Sequence, residues 1–295
     1  MNIRLQLEAS KIIVRMHTTL SVYKPIGKTP LQVILQFKKQ FPEYENVKMA
    51  YAGRLDPLAE GVLIILCGEE CKNRKEYERL DKEYDFEILA GISTDSYDVM
   101  GLIQKIDFHQ VSDSDFSKSI KNCINKFKGE FDQPYPPYSS IKVNGKSLFH
   151  WARENKLSSI KIPSKKVTVY SVEFLSEKQL SGKKLLESVK NRVENVEGVF
   201  RQKEIVVDWE NKLALHLNQI IPVFKFRITC SSGTYIRSIA NEVGKKIGIP
   251  CLANSIHRTR VGNFTILPGV KRRNEPELPI EVVRVKSDEL PASKL

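Results

Sequence analysis

Six consecutive apolar residues, Val62-Leu63-Ile64-Ile65-Leu66-Cys67, constrain this 295-residue chain more than any other feature. The run is far shorter than the roughly 20 residues of a membrane helix. Bounded by Gly61 and Gly68, it reads as a strand buried on both faces, so the fold must cover two sides of a sheet. Apolar residues make up 41% and charged residues 28%, ordinary values for a globular chain long enough to bury a sizeable core. They exclude a disordered chain, a collagen and a disulfide scaffold.

Strands and helices alternate irregularly along the chain. Thr29-Pro30 starts a helix carrying Leu31, Ile34, Leu35 and Phe41, with Thr29 as cap and Pro30 in the first turn. A helix is expected around Glu70 to Asp81, a strand over Tyr84 to Ile92, and a helix over Phe116 to Phe127. Gln133 to Tyr138 is extended, Leu148 to Arg153 a short helix, and Val167 to Leu175 and Val223 to Cys230 strands. Thr234 then caps a helix with Ile236, Ile239, Ala240, Val243 and Ile247 on one face, ended by Gly248. Phe264 to Leu267 forms a last strand. The pattern lacks a βαβ rhythm and fits an α+β fold. Residues 1–20 are a lead-in with a strand over Lys11 to Met16, 176–212 a surface insertion of alternating charge, and 268–295 a short Pro-rich tail.

Lys and Arg total 47 against 35 Asp and Glu, a net charge of +12. Such a surplus serves a polyanionic partner through counterion release, or solubility alone. The first eight residues carry charges where a signal peptide is apolar, so a cytoplasmic protein is expected. Five scattered cysteines read as reduced thiols. Cys67 and Cys71 have no second pair at zinc spacing, so no metal site is expected.

The most informative segment is Gly53-Arg54-Leu55-Asp56-Pro57-Leu58-Ala59-Glu60-Gly61. Pro57 pushes Asp56 out of the helical region, and Leu55, Leu58 and Ala59 pack the loop down. An Asp before Pro also simply initiates turns. Held rigidly beside a buried strand, however, such a carboxylate can act as nucleophile or base. A second signal is Arg237, in the first turn of its helix, where the dipole disfavours a cation by about 0.3–1 kcal/mol. It needs an anion, and Asp56 is the candidate, kept ionised by the pairing.

The segment from Gly53 to Leu63 closely resembles the catalytic motif of the TruB family of pseudouridine synthases. Five further segments resemble that family's elements in its order: Lys24 to Thr29, Gly91 to Gly101, Gln133 to Gly145, Cys230 to Ala240 and Arg258 to Phe264. The resemblance spans residues 23 to about 264. It implies a mixed, mainly antiparallel sheet with flanking helices and a central RNA-binding cleft. It also implies isomerisation of the T-loop uridine of tRNA, position 55 in tRNA numbering, to pseudouridine. The uracil leaves the ribose through nitrogen and rejoins through carbon, with no net electron or group transfer, so neither cofactor nor metal is implied.

By the same resemblance Asp56 is the nucleophile, toward the sugar C1′ or the base. Tyr84 stacks on the target base, and Tyr235 and Arg237 line the pocket, with Arg237 pairing Asp56. Lys24, Lys142, Arg258 and Arg260 are expected on RNA phosphates. The buried carboxylate requires the uridine to be swung out, with an aromatic offsetting part of the unstacking.

Five departures stand out. Tyr51 occupies the place of the family's histidine near the catalytic loop and can stack on a base without carrying its charge. Pro30 and Tyr135 replace the usual Ser and Pro of their elements. Residues 176–212 exceed what the family core requires, and the tail has no room for the family's common C-terminal RNA-binding domain. The expectation is a monomeric, stand-alone enzyme acting on tRNA. The alternatives are a guide-RNA-dependent synthase, a ribosomal RNA synthase, and a non-catalytic RNA-binding or RNA-folding protein on the same scaffold.

Overall fold

A computed structural model describes residues 18–109, 111, 115–265 and 282–283. The strand expected over Lys11 to Met16 and most of the tail lie outside these residues. In chain order the strands are β1 (Thr19–Lys24), β2 (Met49–Ala52), β3 (Ala59–Cys67), β4 (Lys82–Ala90), β5 (Ile92–Thr94), β6 (Ile103–Ile106) and β7 (Gly129–Pro134). There follow β8 (Lys142–Val143), β9 (Lys146–Ser147), β10 (Ser164–Ser181), β11 (Ile220–Cys230), β12 (Cys251–Val261), β13 (Phe264–Thr265) and β14 (Val282–Val283). The helices are α1 (Pro30–Gln40), α2 (Arg74–Arg79), α3 (Phe116–Asn125), α4 (Leu148–Arg153), α5 (Gly182–Glu194), α6 (Gln202–Leu213) and α7 (Ile236–Ile247).

The main sheet runs β14-β1-β3-β12-β4-β11-β10-β7, with β2 on β3 and β13 on β12. Every pairing in it is antiparallel except β3 with β12. The fold is therefore α+β with a mixed, mainly antiparallel sheet, as the sequence led one to expect.

The apolar run does become a central strand, and Val62 to Leu66 are fully buried. Alternation sorts the neighbouring strands between two cores. Phe86 and Ile88 of β4, with Phe224, Phe226 and Ile228 of β11, face α3 and α7. Leu89 and Val223 face the other way, toward α5 and α6. Helix α1 covers β1 and β3 through Val33, Ile34 and Phe37. It starts as expected: Thr29 accepts from the backbone N–H of Gln32, whose side chain accepts in return from the Thr29 N–H, a reciprocal cap.

The structure corrects the reading of 176–212 as a surface insertion. The second half of β10 pairs with β11 down to Ser181. Helices α5 and α6 then bury Leu185, Val189, Val193, Ile205, Trp209 and Leu213 completely. Trp209 also donates its indole N–H to the Gly101 carbonyl at 2.9 Å. These helices form one wall of the second core. The element expected around Glu70 to Asp81 divides into a 3-10 segment, Gly68–Asn73, and the short α2. The strand expected over Tyr84 to Ile92 breaks at Gly91, which turns the chain with a φ of 94°.

Candidate active site

The Asp56 loop enters β3 from an edge of a cleft of about 1120 Å³. Gly61 is where the loop meets the sheet. Its φ is 111°, and a Cβ there would lie 2.2 Å from the Arg258 carbonyl, so only glycine lets β3 and β12 approach in parallel at this point. The loop closes with the Ala59 N–H donating to the Asp56 carbonyl at 3.0 Å.

Two buried cations hold the loop from within. Lys24 is fully buried and donates to the carbonyls of Pro25 and Pro57 at 3.1 Å and of Ala59 at 2.5 Å. Burial pulls its ammonium down to about 7, against the opposing pull of Asp56. Arg258 is 1% exposed and donates to the Val62 carbonyl at 2.8 Å and the Gly53 carbonyl at 3.0 Å. The structure therefore corrects the expectation that Lys24 and Arg258 pair with RNA phosphates: both are buried, with their hydrogen bonds on backbone carbonyls in and beside the Asp56 loop. Lys142, on the exposed β8–β9 hairpin, and Arg260, which donates to the Gly262 carbonyl at 2.9 Å and lies 3.6 Å from Glu83, do not line the cleft.

Asp56 and Arg237 do meet. Arg237 Nε donates to Asp56 Oδ2 at 2.9 Å, with the arginine side chain 3% exposed and the aspartate 34%. The two Nη groups of Arg237 donate at 2.8 Å to the carbonyls of Ser96 and Tyr138. A second carboxylate, Asp98 Oδ2, lies 4.0 Å from Arg237 Nε. Burial pushes Asp98 above the usual carboxylate range, although Arg237 opposes the shift. Arg237 is the second residue of α7, so anions stand against a cation at the helix start, as its position requires. Thr234 is not the cap. Its hydroxyl donates to the Ser231 carbonyl, and Tyr235 takes the cap position, its N–H donating to the Gln133 side chain at 2.8 Å.

Tyr84 and Tyr235 both line the cleft beside Asp56. Tyr84 is opposite Arg258 in the β4–β12 ladder, and the nearby guanidinium opposes the effect of burial on its phenol. Burial pushes each phenol up to about 12, so both stay protonated at neutral pH. Tyr135 packs edge-on against Tyr235, with ring centroids 5.8 Å apart. Tyr51 lies at the cleft edge between two cations: Arg54 donates to its hydroxyl at 3.2 Å, and Arg74 sits 5.4 Å from its ring centre. Those guanidiniums supply beside Tyr51 the positive charge that the tyrosine lacks.

Sequence reasoning missed several lining residues. Lys75 and Arg79 of α2 are exposed on the cleft edge, and Lys165, Arg153 and Arg201 add charge from other elements. Their signal was present only as scattered charge, indistinguishable from a solvated face. Asp98 lies within the Gly91 to Gly101 segment, where the sequence pattern alone marks no role for it. Among the described residues, no group of three or more His, Cys, Asp or Glu is placed to hold a metal, and no helix is long and apolar enough to cross a membrane. All five cysteines are free thiols, and all but Cys71 are buried.

A buried guanidinium, two carboxylates and two protonated tyrosines thus share one cleft rich in Lys and Arg. Comparisons with known proteins give the family. Residues 38–199 match the model of the TruB family pseudouridylate synthase N-terminal domain. A tRNA pseudouridine synthase B of Clostridium acetobutylicum is 34% identical over 245 residues, covering 83% of this chain and 67% of that protein. One from Clostridium tetani is 29% identical over 251 residues, with coverages of 85% and 70%. A chain in a crystal structure of a Cbf5–Nop10–Gar1 complex aligns with a TM-score of 0.49 and 19% identity, over 84% of this chain and 49% of that one. This chain belongs to the TruB family of pseudouridylate synthases.

Proposed function

We propose that the protein is a tRNA pseudouridine synthase that isomerises the T-loop uridine at position 55, with Asp56 as the nucleophile. The observation that carries this reading is the 2.9 Å contact of Asp56 with a buried Arg237 at the floor of a tyrosine-lined cationic cleft. Family membership and relatives named tRNA pseudouridine synthase B support the reaction and the substrate.

The uridine swings out of its loop into the cleft, where the ring of Tyr84 stacks on it. Asp56 attacks the sugar C1′ or the base, the N-glycosidic bond breaks, and the uracil turns. Its C5 then joins C1′, the bond to Asp56 breaks to free the carboxylate, C5 loses a proton and N1 gains one, so the product is an isomer of the substrate. Arg237 aims Asp56 before the attack through their 2.9 Å hydrogen bond. Tyr235, behind the guanidinium, closes the wall. Lys24 and Arg258 fix the loop backbone from which Asp56 projects, while Lys75 and Arg79 meet phosphates at the edge. The enzyme acts in the cytoplasm as a monomer and needs no cofactor and no partner protein.

The test is incubation of the pure protein with an unmodified tRNA transcript, followed by mapping of pseudouridine. A modified T-loop uridine without guide RNA or added protein is expected. Modification only with a guide, only on ribosomal RNA, or none at all overturns the reading.

A further inference from the structure

The cleft has a wall from an unexpected source. The connection between α5 and α6 brings Val199, Phe200 and Arg201 to the cleft. It is anchored to the start of α1: the Glu197 N–H donates to the Gly27 carbonyl at 3.0 Å, and its carboxylate pairs with Lys28 and accepts from Gln32. At its end Arg201 adopts the left-handed conformation, with φ 63° and ψ 27°, which a long L side chain takes only when its surroundings impose it.

That conformation aims a guanidinium at one carboxylate. Arg201 Nη1 and Nη2 donate to Asp95 Oδ2 and Oδ1 at 3.0 and 3.3 Å, a two-point fork. The Tyr138 hydroxyl donates to the same Asp95 Oδ2 at 2.8 Å, and the guanidinium stands 4.4 Å from the centre of the Tyr138 ring. Asp95 Oδ1 also accepts from the Leu102 N–H at 2.9 Å. Asp95 thus ties two segments together, its own and that of Tyr138. From those same segments come the Ser96 and Tyr138 carbonyls that accept from Arg237. Both oxygens that aim the partner of Asp56 hang on a clamp closed by Arg201.

We infer that Arg201 is a positioning residue of this enzyme: through Asp95 and Tyr138 it sets the two carbonyls that orient Arg237, and so sets Asp56. The α5–α6 connection thereby contributes to the reactive centre without touching the reacting atoms. The inference rests on the proposed reaction and adds a residue from 176–212 to it.

The experiment measures single-turnover conversion of a tRNA transcript at saturating enzyme, with tRNA affinity measured alongside. Arg201→Asn removes the fork while tolerating the left-handed backbone. It is expected to slow conversion about tenfold with the Kd for tRNA within about twofold, a loss in the reaction step alone. Arg201→Lys keeps the charge without the fork and recovers part of the rate. Tyr138→Phe also slows conversion, and combining it with Arg201→Asn slows it less than the product of the two effects, because both open one clamp. An unchanged rate in Arg201→Asn overturns the inference. So does a loss confined to Kd, which would make Arg201 an RNA contact, or a lower melting temperature with the rate at saturation intact. If Arg201→Asn does not fold, Tyr138→Phe alone decides, and a normal rate there overturns the proposal. A starting protein that makes no pseudouridine removes the reaction assignment and the inference together, an outcome distinct from an active protein with an equally active variant.

Discussion

Arg237 is a cation in the turn of a helix that least favours one, and the surroundings explain why it stays. Each of its three nitrogens has a partner, Asp56 at 2.9 Å and two carbonyls at 2.8 Å, and Asp98 stands 4.0 Å away. Asp56→Asn keeps the shape of this arrangement and loses the charge. Its turnover is expected to vanish while tRNA affinity stays within a few-fold, since binding rests on phosphates and shape; a turnover assay paired with filter binding reads both. Tyr84 offers a pH test. Its phenol is held at about 12 against about 10 in the unfolded chain. A raised acid contributes stability that is complete below the unfolded value and is lost as pH climbs from about 10 to about 12. Urea unfolding across that window is expected to show a smaller alkaline loss in Tyr84→Phe than in the starting protein. The Asp56–Arg237 pairing was legible in the sequence because a motif and a dipole argument met on the same residues. The roles of Lys24 and Arg258 were not. A cation that satisfies itself on buried carbonyls looks, in a sequence, the same as one waiting for a phosphate.

At the scale of elements, the least legible stretch was α5 and α6. Leu185, Val189 and Val193 recur at helical spacing, as do Ile205, Trp209 and Leu213, but dense charge of both signs between them masked the stripe. Charges occupying the exposed faces of an amphipathic helix are compatible with a fully buried seam on the other side. Trp209→Ala is accordingly expected to cost about 3–5 kcal/mol in urea unfolding, the loss of a large side chain from a closed core; a true surface excursion would give a value near zero. In contrast, α1 was legible to its first residue, because Thr29-Pro30 states a helix start in local chemistry. Thr29→Ala is expected to cost about 1 kcal/mol by the same measurement. The start of α7 misled for a related reason: Thr234 has the right side chain, but the cap position falls on Tyr235, whose backbone is held by Gln133, about a hundred positions away in sequence.

For the whole molecule, the net charge of +12 takes on a direction. Lys75, Arg79, Arg54 and Arg153 all face one cleft. Binding of tRNA is expected to weaken steeply with salt, and Lys75→Ala to reduce the log–log slope by about one. Lys142→Ala, outside the cleft, is expected to keep the slope of the starting protein. Composition announced the polyanion, but only folding decides which of the 47 basic residues stand together. The parallel pairing of β3 with β12 reaches further than its few residues suggest. Arg258 braces Gly53 across 205 positions of chain, so the loop that carries the carboxylate waits for a strand translated long after it. A nascent chain halted before β12 has the Asp56 loop but lacks the strand and the guanidinium that brace it.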